Sequence, residues 1–202
     1  MDAIRAFIAI ELPDLLRHEL DSVTHRLQEQ CAVAGGEASR KAVRWVPASN
    51  IHLTLKFLGE VSTANVQALA RMLKAEAVRH SPFDILVTGI GAFPNVRRPR
   101  VIWVGSEAPA NLAHLQRAIE AETRALGYPT EERPFSPHLT LGRISQNATP
   151  PEATAVAQAL SMVSVAELGC LHVDRVHLFQ SDLRPSGAVY TSLYSFQLGG
   201  KV

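Results

Sequence analysis

The tetrapeptide His-Leu-Thr-Leu occurs twice in this chain, at residues 52–55 and again at 138–141. Both copies lie in apolar, alternating stretches that read as β-strand. Side chains two apart on a strand share a face, so His52 and Thr54 point one way and Leu53 and Leu55 the other. His138 and Thr140 repeat that arrangement against Leu139 and Leu141. A fold that satisfies both copies must bury the leucines and gather the polar side chains on the opposite face. Two such strands facing each other would line a pocket with two imidazoles and two hydroxyls. That inventory suits proton transfer around an oxyanion such as phosphate.

The copies are 86 positions apart (138 minus 52), close to half of the 202 residues. Apolar periodicity predicts a strand over 5–12 and a helix opened by Pro13 and ended by Gly35-Gly36. Strands follow over 43–46 and 51–58, then a helix capped by Ser62. The pattern then starts over: strands over 83–90 and 100–104, a helix over 111–126, the second motif strand over 136–144, and a helix from Pro150-Pro151 to about Val163. Strands over 168–179 and 189–198 finish the chain, with a turn at Arg184-Pro185-Ser186-Gly187 before the last. A duplicated α+β unit accounts for this order, each unit giving one motif strand to a shared cleft. The expected organisation is one bilobal unit over residues 1–202.

With 47% hydrophobic and 19% charged residues, the composition is that of an ordinary soluble domain. A net charge of +1 gives no strong global field to advertise polyanion binding, so any nucleic acid is expected to be engaged locally, at an end, rather than along a long basic groove. No signal-peptide pattern or membrane-length apolar run is present, and a cytoplasmic protein without membrane partners is expected. Cys31 and Cys170 read as two reduced thiols. Neither motif carries a third ligand at metal spacing, and His172, Asp174 and His177 form only a weak alternative cluster. No Gly-x-Ser-x-Gly elbow is present, and Gly89-Ile90-Gly91 is too short for a nucleotide fingerprint. The expectation is no metal and no cofactor.

The second copy continues as His138-Leu139-Thr140-Leu141-Gly142-Arg143, which adds a guanidinium suited to phosphate. In-line cleavage of a phosphodiester needs a base and an acid on opposite sides of phosphorus, with hydroxyls and cations holding the other oxygens. The paired motifs resemble those of the 2H phosphoesterase superfamily. The similarity is greatest to its RNA 2′,3′-cyclic phosphodiesterase branch (the LigT or ThpR proteins, also described as 2′-5′ RNA ligases). It is carried by Arg5-Ala6-Phe7-Ile8-Ala9-Ile10, by Val43-Arg44-Trp45-Val46, and by Asn50 to Gly59 around the first motif. Arg100 to Gly105, Arg133 to Arg143, Phe179 to Leu183 and Gly187 to Tyr190 carry it through the second half.

This resemblance implies a bilobal α+β fold, two antiparallel sheets flanked by helices around a central cleft. It implies metal-independent hydrolysis of a terminal 2′,3′-cyclic phosphate on RNA or a nucleotide to a 2′-phosphomonoester, by a protein expected to be a monomer. His52 and His138 become the acid–base pair, with His52 the proton donor and His138 the acceptor. Thr54, Thr140 and Arg143 become phosphate ligands. Phe57 and Phe135 are candidates for base stacking, although strand parity sets Phe57 opposite His52 unless the strand bulges. The same parity sets Lys56 beside His52 and Thr54. Two alternatives stay open: reversible 2′-5′ RNA ligation at the same site, and a non-catalytic module that binds RNA ends or nucleotides.

Overall fold

A computed structural model describes residues 2–184 and 187–199. In chain order the elements are β1 (Ala3–Glu11), α1 (Asp14–Lys41), β2 (Val43–Trp45), β3 (His52–Ser62), α2 (Val66–Ala77), β4 (Phe83–Phe93) and β5 (Val101–Glu107). There follow α3 (Ala110–Ala125), β6 (Leu139–Ile144), α4 (Pro150–Met162), β7 (Gly169–Val173), β8 (Arg175–Arg184) and β9 (Gly187–Gln197). The strands form one antiparallel sheet in the order β7-β4-β5-β6-β3-β1-β8-β9, with β2 also on β6. No helix among the described residues is long and apolar enough to cross a membrane.

The α+β class is as the sequence predicts, but the motif strands do not face each other. They lie edge to edge, joined by the single residue pair Leu53–Leu139. The two sheets implied by the resemblance are thus two halves of one sheet, meeting at the motifs. Chain order also shows a repeat with an exchange. The runs β1-α1-β3-α2-β4 and β5-α3-β6-α4-β8 match element for element, apart from β2 and β7. Yet β4 pairs with β5, and β8 pairs with β1. Each unit therefore lends its last strand to the other half-sheet. The helices cover one face, α1 packing on α4, and α2 on α3, β8 and β9. Under them lies the main core, which includes Ile8, Ile10, Leu53, Leu55, Leu139 and Leu141.

Several boundaries differ from the sequence reading: β6 begins at Leu139 and not at 136, β3 runs to Ser62 and β4 to Phe93, and three further differences have a clear physical cause. Gly35 and Gly36 interrupt α1 without ending it: Gly36 takes φ +71°, and the helix resumes to Lys41. A Cβ at Gly35 would lie 2.6 Å from the Ala155 methyl, so the glycine serves the approach of α4. Ser62 does not cap α2 with its side chain; β3 runs through it and a 3₁₀ turn at Thr63–Asn65 intervenes. The strand expected over 168–179 is two strands on different half-sheets, broken at Asp174, because β7 pairs with β4 and β8 with β1. The expected turn residues Pro185 and Ser186 lie outside the described residues. The helix at Pro150 starts as expected, closed by a reciprocal Thr149–Glu152 capping box.

One irregularity positions the site. Where β3 meets β1, Ala9 pairs with Thr54 but Ile8 pairs with Lys56, leaving Leu55 as an extra residue. Where β6 meets β5, Trp103 pairs with Thr140 and Ile102 with Gly142, leaving Leu141 extra. These are two β-bulges at the same place in each motif, and each turns two consecutive residues toward the helices. Lys56 is therefore 4% exposed and on the face opposite His52, contrary to simple alternation. Its ammonium pairs with the Glu120 carboxylate on α3 and donates to the Pro129 carbonyl at 2.5 Å. Glu120 also accepts from the Glu131 amide at 2.9 Å. The pair thus ties β3 to the segment that leads into β6. In the other half the equivalent position is Gly142, where a Cβ would lie 2.7 Å from Cγ1 of Val43 on β2.

Removing one partner of a buried ion pair strands the other charge, at a cost of about 3–5 kcal/mol. Lys56→Met is expected to lower the thermal midpoint by on the order of 10 °C, with Lys56→Met/Glu120→Leu recovering part of it. Scanning calorimetry of both variants checks this. A single variant as stable as the parent would refute the role given to the pair.

Candidate active site

Leu53 and Leu139 are the same motif position, so their antiparallel pairing places a local two-fold axis between them. Extending the register by one residue each way aligns His52 with Thr140 and Thr54 with His138. All four side chains fall on the face away from the helices, and all four are half-buried. The site is thus assembled by one seam. The bulges then return the next residues, Phe57 and Arg143, to this same face. Phe57 is 63% exposed, with its ring 6.2 Å from that of Phe7. Arg143 is exposed, and its charge reaches both histidines and Tyr190. Phe135 stands apart, half-buried against the main core.

The two imidazoles are held alike. His52 Nδ1 lies 2.8 Å from the Asn50 carbonyl, and His138 Nδ1 lies 2.8 Å from the Ser136 carbonyl. A carbonyl only accepts, so each Nδ1 carries the proton and donates it, which leaves each Nε2 as the exchanging atom. Aromatic rings fix the ring planes. Phe7 stacks on His52 at 4.6 Å and Tyr190 meets it edge-on at 5.1 Å. Phe93 meets His138 edge-on at 4.9 Å. Burial pushes His52 down to about 4, with the charges of Arg143 and His138 acting the same way and the Asn50 carbonyl opposing. Burial, seconded by Arg143, also holds His138 below the ordinary imidazole value, against the Ser136 carbonyl. In the free protein both histidines are neutral at pH 7, beside a fixed cation.

Several residues around the site lie outside the paired His-x-Thr motifs. Phe7, Phe179 and Tyr190 build an aromatic wall behind His52. Trp103 pairs with Thr140 and lies over two glycines: a Cβ at Gly91 would collide with the indole, and one at Gly105 would come within 3.1 Å of it. Phe7 and Trp103 sit in strands apolar on both faces, so alternation gives no parity to sort them. The weak metal cluster is dispersed: His172 Nδ1 lies 2.7 Å from Asp84 Oδ1, while His177 lies on a different strand. Cys31 is buried and Cys170 exposed, both free thiols.

The family profile described as "2′-5′ RNA ligase superfamily" matches residues 13–185. The chain belongs to the 2′-5′ RNA ligase superfamily. A relative from Methanothermobacter thermautotrophicus, named RNA 2′,3′-cyclic phosphodiesterase, is 32% identical over 195 residues, covering 96% of this chain and 99% of that protein. The crystal structure of TT0787 of Thermus thermophilus superposes with a TM-score of 0.77 at 28% identity, over 98% of this chain and 100% of that one. Escherichia coli LigT complexed with 3′-AMP gives a TM-score of 0.73 at 26% identity, over 98% and 99%. Both solved structures superpose over 98% of this chain.

A depressed imidazole protonates only in acid, so the singly protonated pair of the free protein prevails below the usual value. The pH profile of kcat/KM on a phosphodiester is therefore expected to peak between about 4 and 6.5. A bound anion raises both histidines, so kcat should peak at higher pH than kcat/KM. Steady-state kinetics across pH checks both; coincident optima above pH 7 would contradict this electrostatic picture.

Proposed function

We propose that this chain hydrolyses 2′,3′-cyclic phosphate ends of RNA or nucleotides to 2′-phosphomonoesters, with the two histidines as its acid and base. The supporting observation is the two-fold quartet of His52, Thr140, Thr54 and His138 beside Arg143, all on one face. Relatives named RNA 2′,3′-cyclic phosphodiesterase align over nearly the full chain. In this reading Thr54, Thr140 and Arg143 hold the non-bridging oxygens as charge builds on phosphorus. Water attacks in line with the P–O3′ bond and gives its proton to His138 Nε2. The P–O3′ bond breaks, and His52 Nε2 delivers a proton to O3′. The products are a 2′-phosphate and a 3′-hydroxyl, and the exchanged protons restore the pair through solvent.

His52 is neutral in the free protein, so its acid role depends on a proton taken up with the anionic substrate. The substrate's negative charge raises both imidazoles, and the proton taken up with it is the one that His52 donates. The exposed Phe57 ring, beside the aromatic wall, is the surface given to the terminal base. Phe135 is not given that role, because it packs inward on the core.

Two experiments test the reading. An oligonucleotide ending in 2′,3′-cyclic phosphate, incubated with the protein and EDTA, is expected to yield the 2′-phosphate. His52→Ala and His138→Ala should each lower the rate by about 10²–10⁴. Binding without turnover would favour a module that only holds RNA ends; activity abolished by EDTA would favour a metal. Separately, a 4-nitrophenyl phosphodiester has a leaving group that needs no proton. His52→Ala is expected to regain activity on it and His138→Ala is not; the opposite pattern would exchange the two roles.

A further inference from the structure

We propose that Arg44 forms a second phosphate subsite, taking the phosphodiester one step upstream of the reacting end, so that the cleft reads an oligonucleotide and not merely a nucleotide. This rests on the cyclic-phosphate reading of the site. The carrying observation is a register. On the edge strand β2, Arg44 pairs directly with Arg143 of β6. Register partners on antiparallel strands project from the same face, about 5 Å apart at their Cα atoms. Arg143 is on the cleft face, where its charge bears on His52 and His138. Arg44 therefore extends the same face one strand outward from the motifs, and it is exposed.

Two guanidiniums set side by side repel, and such pairs are unfavourable unless an anion joins them. Arg17, Arg40, Arg79, Arg133 and Arg175 have a carboxylate within ion-pair distance. Among the described residues neither Arg44 nor Arg143 has one, which they share with most of the sixteen arginines. Their backbone is firmly placed. Trp45, the next residue, donates its indole N–H to the Arg40 carbonyl at 3.1 Å, and the Val46 amide donates to the Leu141 carbonyl at 2.8 Å. β2 also closes on Gly142, where no side chain would fit without displacing Val43. Arg44 is thus a long cation on a rigid edge, next to the cation given to the reacting phosphate. A nucleoside cyclic phosphate has nothing to offer it. Any longer strand carries its next phosphate on the 5′ side of the terminal ribose, and that is the anion this geometry fits.

The test compares a nucleoside 2′,3′-cyclic monophosphate with a dinucleotide bearing the same cyclic end, and with that dinucleotide carrying a neutral methylphosphonate between its nucleosides. The parent protein is expected to favour the charged dinucleotide over the mononucleotide in kcat/KM by about tenfold or more, the worth of one charge-assisted contact. Arg44→Ala should collapse that ratio toward one, and the methylphosphonate should do the same on the parent protein. The two changes together should cost no more than either alone, since they remove one interaction. Arg143→Ala should instead depress both natural substrates and keep their ratio. The proposal is overturned if the parent shows no dinucleotide preference, if Arg44→Ala leaves the ratio intact, or if the two losses add. A parent protein inert toward every substrate would overturn the reading of the site itself.

Discussion

The architecture depends on one hydrogen-bonded contact, the antiparallel pairing of Leu53 with Leu139. It buries two leucines under the helices and, by alternation, sets two histidines and two threonines on the other side. Among the described residues it is also the only point where the motif strands pair, so the cleft floor is a seam of minimal width between two broad half-sheets. The widths on either side support it. β1 and β5 run along the motif strands and anchor each to a larger set of paired strands. The narrow seam thus joins two broad sets of paired strands, over a layer in which α1 packs on α4 and α2 on α3.

The two-fold relation is close in backbone and broken in chemistry. Both copies place a carbonyl behind Nδ1, a bulge after the threonine, and an aromatic ring beside the imidazole. At the bulge they diverge. Lys56 reaches inward to Glu120 where Gly142 makes room for β2, and Phe57 stands where Arg143 stands. At that position one half of the cleft presents an aromatic ring and the other a cation. A strand of nucleic acid has the same division, bases along one side and phosphates along the other. Burial differs too, since His52 is the harder of the two to protonate in the free protein. A symmetric scaffold can therefore hold two histidines that behave differently.

Much of this is legible in the residues. Period-two alternation places His52 and Thr54 together, and the repeat places His138 and Thr140. The α+β class, most elements and Arg143 as a motif neighbour follow from pattern. The bulges do not follow, because they are set by which residue of the adjacent strand is skipped, information that lies about 40 residues away along the chain. Simple alternation would set Lys56 beside the histidines; the bulge buries it behind them and brings Phe57 out in front. The break between β7 and β8 is partly readable. Leu171 and Val173 are buried at odd positions, Val176 and Leu178 at even ones, and that change of phase marks a strand changing partners. Ser62 has the chemistry of a cap, but β3 needs it for pairing with Ala3. Arg44 lies in Val43-Arg44-Trp45-Val46, a block that carries the family resemblance, but only its register with Arg143 singles it out.

The exchanged strands also bear on how the chain is made. β1 is synthesised before both of its partners, yet one of its two edges is completed only by β8, residues 175–184. At ordinary elongation rates the intervening stretch takes on the order of ten seconds to emerge. Throughout that interval β1 can pair with β3 on one side while its other edge, flanked by Phe7, Ile8 and Ile10, stays open. An open apolar edge is a template for pairing with a neighbouring chain. The nascent first half therefore keeps an open apolar edge until β8 has emerged, and only then does β1 lie between both of its partners.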